Sequence, residues 1–253
     1  RAALDELIRQ GYDISNVRGD VATIYATDEE LDRLGEAGYD YRAVEIQEPG
    51  GKQPSGYHDY ASLTADLGVY ATAHSDICRL RSLGRSIQGH ELWAMLITDY
   101  PDEEEDEPEF KYIATIHGDE SLGTEMCLYF IDMLLTEYDA NNPRVADLID
   151  NTAIWIVPVM NPDGLENNSR YNARGYDLNR NWPLNWHPDW NRAGCWNYLP
   201  IGAGPHPLSE PETAALLDFI LDHDFRALIS YHSAALGIFP GGQPATEDSL
   251  QLA

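Results

Sequence analysis

Hydrophobic and polar positions recur along this chain with two different periods. Phe110-Lys111-Tyr112-Ile113-Ala114-Thr115-Ile116 is a β-rich apolar run, and Leu122 to Tyr138 then carries apolar residues at helical spacing. Phe225-Arg226-Ala227-Leu228-Ile229-Ser230-Tyr231 is a second apolar run of strand length. These patterns predict a strand, a helix and a further buried strand in an α/β arrangement. The first run leads straight into His117-Gly118-Asp119-Glu120, and the last ends at His232. His117, Glu120 and His232 are therefore expected at the C-terminal ends of two strands, where open α/β sheets place their ligands.

Residues 1–46 read as a small, separate α/β unit. Ala2–Gln10 is expected as a short helix, Tyr12–Val17 and Val21–Ala26 as strands, Thr27 with Asp28 as the cap of a helix to Ala37, and Tyr39–Ile46 as another strand. Residues 47–56 have linker composition, and the main domain is expected over 57–253. The acidic stretch Pro101–Glu109 reads as a solvated loop between two strands, because its carboxylates lack regular calcium-ligand spacing.

Two imidazoles and one carboxylate form the donor set of a catalytic zinc site that keeps its fourth position for water. With eight His and 43 acidic residues in the chain, an isolated H-x-x-E pair carries little weight. A histidine at a strand end is also a common hydrogen-bonded core residue. Further motifs tip the balance. Met160-Asn161-Pro162-Asp163-Gly164, Arg170, Asp177-Leu178-Asn179-Arg180-Asn181-Trp182-Pro183 and Ser209-Glu210-Pro211-Glu212-Thr213 follow in order before the strand that ends in His232.

Together these motifs closely resemble the zinc metallocarboxypeptidases, with an order and spacing most like the carboxypeptidase N/E branch. Tyr57–Tyr60 and Leu83–Trp93 look like the opening of that catalytic domain, so the resemblance covers roughly four fifths of the chain. It implies a mixed, twisted β-sheet flanked by helices. It also implies one Zn2+ per chain held by His117, Glu120 and His232, with Arg170 stabilising the developing oxyanion. Asn179 and Arg180 match the pair that grips the substrate's terminal carboxylate, for which a guanidinium fork is well shaped. Asp177 matches the carboxylate that orients the first zinc histidine. The implied activity is hydrolysis of the C-terminal bond of peptides or proteins through a zinc-activated water, and the implied partners are peptide and protein C-termini. Secreted members of the family often carry an N-terminal pro-segment, which is one reading of residues 1–46; an appended domain is the other.

The chain departs from the family pattern near its end. The family's general-base glutamate and its substrate-capping tyrosine lie on later segments, so both are expected beyond residue 253, and the chain reads as a piece cut at both ends. Such a piece is expected to expose a sheet edge and to aggregate when expressed alone. Two other readings share part of the motif set: a zinc amidohydrolase that deacylates N-acyl amino acids, and a catalytically inactive zinc- and peptide-binding relative.

Charge and cysteine usage set the remaining bounds. A net charge of −27 opposes nucleic-acid binding and binding to anionic membranes. Lys52 and Lys111 are the lysines, and so acidic a surface fits a secreted, periplasmic or otherwise extracellular protein, or one from a salt-adapted organism. No apolar run approaches the roughly 18 residues that a spanning helix needs, so membrane insertion is not expected. Cys78, Cys127 and Cys195 make no C-x-x-C, and Cys127 is expected as a small core residue. Trp182, Trp186, Trp190 and Trp196 crowd one stretch, expected as packing for a long irregular loop before a rim of the cleft.

Overall fold

The computed structural model describes residues 3–233 except 4, 5, 8, 9, 11, 19, 20, 27, 43–55, 104, 184, 185 and 187–201. Strands β1 (Asp13–Arg18) and β2 (Val21–Tyr25) pair antiparallel, and helix α1 (Asp28–Glu36) follows. Leu7, Ala26 and Leu34 are buried in this small unit. The expected helix over Ala2–Gln10 and strand over Tyr39–Ile46 fall largely outside the described residues. Residues 39–42, which are described, are irregular.

Helix α2 (Tyr60–Ala73) opens the main domain, its first turn capped by Asp59, whose carboxylate accepts from the Ser62 amide at 2.8 Å. Then come β3 (Cys78–Arg85), β4 (Glu91–Ile97), β5 (Glu109–Ala114), α3 (Leu122–Asp139), α4 (Pro143–Ile149), β6 (Ala153–Val157), α5 (Pro162–Asn167), a 3-10 turn (Leu178–Arg180), α6 (Pro211–Leu221) and β7 (Phe225–Tyr231). The strands lie in the order β3-β4-β6-β5-β7. β3, β4 and β6 pair antiparallel, while β5 runs parallel to both β6 and β7. The sheet is mixed and helices flank it, as the resemblance implied.

Strand alternation divides the core in two. Met95, Ile97, Ile154, Ile156 and Ala114 point to one face, where they meet Leu63 and Leu67 of α2, Cys127, Ile131 and Leu135 of α3, and Ile149 of α4. Ala94, Leu96, Trp155, Val157 and Ile113 point to the other face, beneath Leu216 and Phe219 of α6. Lys111 shares that second face at 1% exposure, with its ammonium 4.3 Å from the Phe225 ring centre and 5.5 Å from that of Phe219. Cys127 is a buried core residue, as expected. No helix among the described residues is long and apolar enough to cross a membrane.

Two expectations need correction. β5 stops at Ala114 rather than running into His117, because Thr115 takes a left-handed backbone (φ 54°) that ends the pairing. β7 is not a buried strand: Leu228 and Ile229 are 47% and 46% exposed. Among the described residues β7 pairs only with β5.

Candidate metal centre

The turn after β5 carries the first two candidate ligands. Thr115 leaves the strand direction, and its hydroxyl meets the Thr124 hydroxyl at 2.8 Å; the Thr124 hydroxyl in turn donates to the Pro158 carbonyl at 3.2 Å. The Glu120 amide donates to the His117 carbonyl at 3.1 Å, closing a tight turn just before α3. This turn brings two side chains three residues apart into contact, with Glu120 Oε1 2.9 Å from His117 Nδ1. From the end of β7, His232 Nδ1 approaches the other oxygen, Glu120 Oε2, at 2.8 Å. The one carboxylate therefore lies between two imidazole Nδ1 atoms that come from two strand ends. One ligand atom from each of the three residues lies within 4.8 Å of the other two, a spacing that suits a single ion.

The far side of His117 is also occupied. Its Nε2 lies 3.3 Å from Asp177 Oδ1, and Asp177 is fully buried. The other Asp177 oxygen, Oδ2, accepts from Arg170 Nε and faces Nη2, both at 2.9 Å. Arg170 Nη1 lies 3.4 Å from His117 Nδ1, which puts the guanidinium beside the would-be metal. Burial alone would raise the Asp177 carboxyl, but the adjacent His117 imidazole and the charge of Arg170 hold it far below the usual carboxylate range. Glu120 behaves alike: burial opposes ionisation, and the two histidines outweigh it.

Asn179 and Arg180 sit on the 3-10 turn that Asp177 caps by accepting from the Asn179 amide at 2.9 Å. Both side chains are half-buried, and the charge of Arg180 helps lower the Asp177 carboxyl. Arg174 pairs with buried Glu210 at 3.6 Å and stays half exposed.

Residues 63–251 match the model of the zinc carboxypeptidase family. The chain belongs to that family. Among the zinc carboxypeptidases it is 34% identical over 190 residues to carboxypeptidase M of Mus musculus, covering 71% of this chain and 39% of that protein. It is 37% identical over 196 residues to the carboxypeptidase N catalytic chain of Rattus norvegicus, covering 71% and 43%. These relatives belong to the N/E-type branch. The chain thus spans about two fifths of the length of the curated relatives it matches. Its fold is similar to that of the carboxypeptidase A from Helicoverpa armigera, with a TM-score of 0.68 at 22% identity over 99% of this chain and 71% of that one.

The N-P-D-G segment also carries a buried side chain whose role its motif does not show. Asp163 is fully buried and accepts from the Ser86 hydroxyl at 2.5 Å and the Gln88 amide at 3.0 Å, with His90 Nδ1 at 2.7 Å. It pins the β3–β4 turn to α5. No local pattern announces it, because Asn161, Glu166 and Asn167 beside it are polar as well and its partners lie more than 70 residues away. In the Trp-rich stretch, Trp186 Nε1 donates to the Ala203 carbonyl at 3.2 Å and Trp182 packs on the second core face, so these two rings serve packing. Trp190 and Trp196 lie outside the described residues.

Proposed function

We propose that the full-length protein is a zinc-dependent metallocarboxypeptidase that hydrolyses the C-terminal bond of peptides or proteins. One observation carries the reading: Glu120 lies with one oxygen on each of His117 Nδ1 and His232 Nδ1, while Asp177 holds the back of His117 and the Arg170 guanidinium together.

His117, Glu120 and His232 would hold one zinc. When bound, zinc supplies Lewis acidity toward a water and toward the scissile carbonyl. The Asp177 carboxylate, 3.3 Å from His117 Nε2, would favour the tautomer that keeps its proton on Nε2 and so leave Nδ1 free to hold the metal. Arg170, braced by the same carboxylate, meets the negative charge that develops on the carbonyl oxygen. A donor in that position contributes roughly 2.7–4 kcal/mol to transition-state stabilisation. Asn179 and Arg180 receive the free carboxylate of the substrate and so restrict cleavage to chain ends. The resemblance implies a glutamate as the acceptor of the water's proton.

Zinc content and release of C-terminal amino acids, measured on the full-length protein with and without chelator, test the proposal together. One zinc per chain with chelator-sensitive release is the expected result. Zinc with no release, or release of acyl groups from N-acyl amino acids alone, would overturn it. In the same assay Arg180→Ala should keep its zinc and lose the requirement for a free terminal carboxylate.

A further inference from the structure

Asn161 is completely buried at the start of α5 and bonds both to the metal turn and to the loop that carries Arg170. Its backbone amide donates to the Thr115 carbonyl at 3.0 Å, just where β5 breaks off. Its side-chain oxygen accepts from the Gly164 amide at 2.9 Å and caps the helix. Its side-chain nitrogen is shared between two carbonyls, those of Ile116 and Arg170, each at 3.4 Å. Ile116 immediately precedes the first candidate zinc ligand, and Arg170 Nη1 lies 3.4 Å from that ligand's Nδ1.

Packing reinforces these bonds. A methyl group on Gly164 would lie 2.4 Å from the Asn161 side-chain nitrogen, so the amide lies flat against the bare Cα of that glycine. Gly164 in turn leaves no room for a methyl group on Gly118, inside the metal turn. The amide, the two glycines and the metal turn are stacked in close contact, and the amide nitrogen reaches on to the loop carrying Arg170, which the Gly164 carbonyl also meets at the Ser169 amide, 2.9 Å away.

We propose that Asn161 is a positioning residue that sets the distance between the metal-ligand turn and Arg170. The proposal rests on the zinc carboxypeptidase reading for its consequence in catalysis, whereas the tie itself is a property of the fold. Two carbonyls brought to one side-chain nitrogen repel each other if that donor is removed, so the turn and the loop should move apart.

Asn161→Ser in the full-length protein separates this role from helix capping, since a serine hydroxyl still caps the Gly164 amide but is too short to hold both carbonyls. Asn161→Asp keeps shape and cap while setting a carboxylate oxygen against the two carbonyls. We expect both variants to fold. Hydrogen exchange should quicken by at least about tenfold in both the 115–120 turn and the 169–172 loop, and kcat should fall by about tenfold or more with KM within about threefold. In an Arg170→Ala background the same substitutions should lower kcat by less than about threefold, because the loop they position has lost its guanidinium.

Equal losses in both backgrounds, or faster exchange in the turn alone, would overturn the proposal. Should either variant fail to fold, the other carries the same exchange and kinetic test. An inactive wild type whose Asn161 variants still loosen turn and loop together would reject the enzyme reading and leave the tie standing.

Discussion

A methyl group on Gly118 would lie 2.0 Å from the carbonyl carbon of Gly164, so the metal turn and the first turn of α5 pack backbone to backbone. Neither side is a flexible side chain that could swing away. We expect Gly118→Ala to push the metal turn off its seat, at a cost of about 1–3 kcal/mol typical of overpacking, and to lower zinc occupancy as well as the melting temperature. Elemental analysis of the folded variant checks this. Full occupancy would show that the strain is relieved elsewhere.

Asp177→Asn tests how the two sides of one carboxylate are used. Oδ1 faces His117 Nε2 and the Asn179 amide, and Oδ2 faces two Arg170 nitrogens. All of these partners are donors. An asparagine must therefore turn its NH2 toward donors whichever way it is flipped. We expect zinc affinity, measured by competition with a chromogenic chelator, to weaken by about 10–100-fold, the usual effect of losing a residue that orients a metal histidine. Unchanged affinity would remove Asp177 from that role.

The parts legible in the sequence were those written in local periodicity. The apolar runs of β5 and β7 and the helical spacing of α3 placed His117, Glu120 and His232 at strand ends, and the fold brings all three together. The end of β5 was not legible. Its apolar run continues to Ile116, but the Met160 amide bonds to the Ala114 carbonyl and the Asn161 amide to that of Thr115, a tertiary choice that no neighbouring residue announces. Buried polar hubs were illegible for a similar reason: Asp163 finds its partners between residues 86 and 90, and Asn161 ties Ile116 to Arg170. Lys111 shows pattern overriding polarity, since strand alternation turns an ammonium inward among aromatic rings.

That inward ammonium has a price in stability. Burial pushes the Lys111 amine down from 10.5 to about 8, against the weaker opposing charge of Glu109. The unfolded chain then binds more protons than the folded one between these values. Stability contributed at this site must rise with pH across that window and be lowest below it. Lys111→Met fills the same space without a charge, so we expect it to stabilise the protein at neutral pH by about 1–3 kcal/mol after allowing for the lost cation–π contact. Denaturant titrations at neutral and alkaline pH should show that advantage shrinking as pH rises. An advantage constant with pH would mean that the amine is already neutral or well solvated.

His58 should respond to pH in the opposite sense. Its Nδ1 lies 2.9 Å from both oxygens of Glu125 on α3, and its Nε2 lies 3.0 Å from Asp66 on α2. The His58 amide also donates to Glu125, at 2.7 Å. Partial burial works against the charged imidazole, but the two carboxylates outweigh it and raise its pKa above the usual 6.5. A raised base contributes stability in full below its unfolded pKa and loses that contribution as pH climbs through the folded value. The side chain is 28% exposed, so the contribution is modest, about 0.5–1 kcal/mol. His58→Gln keeps a donor for Glu125 but no charge. We expect the gap in melting temperature between wild type and this variant to be widest near pH 6 and to close by about pH 9. A gap that stays constant would show that His58 joins α2 to α3 through neutral hydrogen bonds alone.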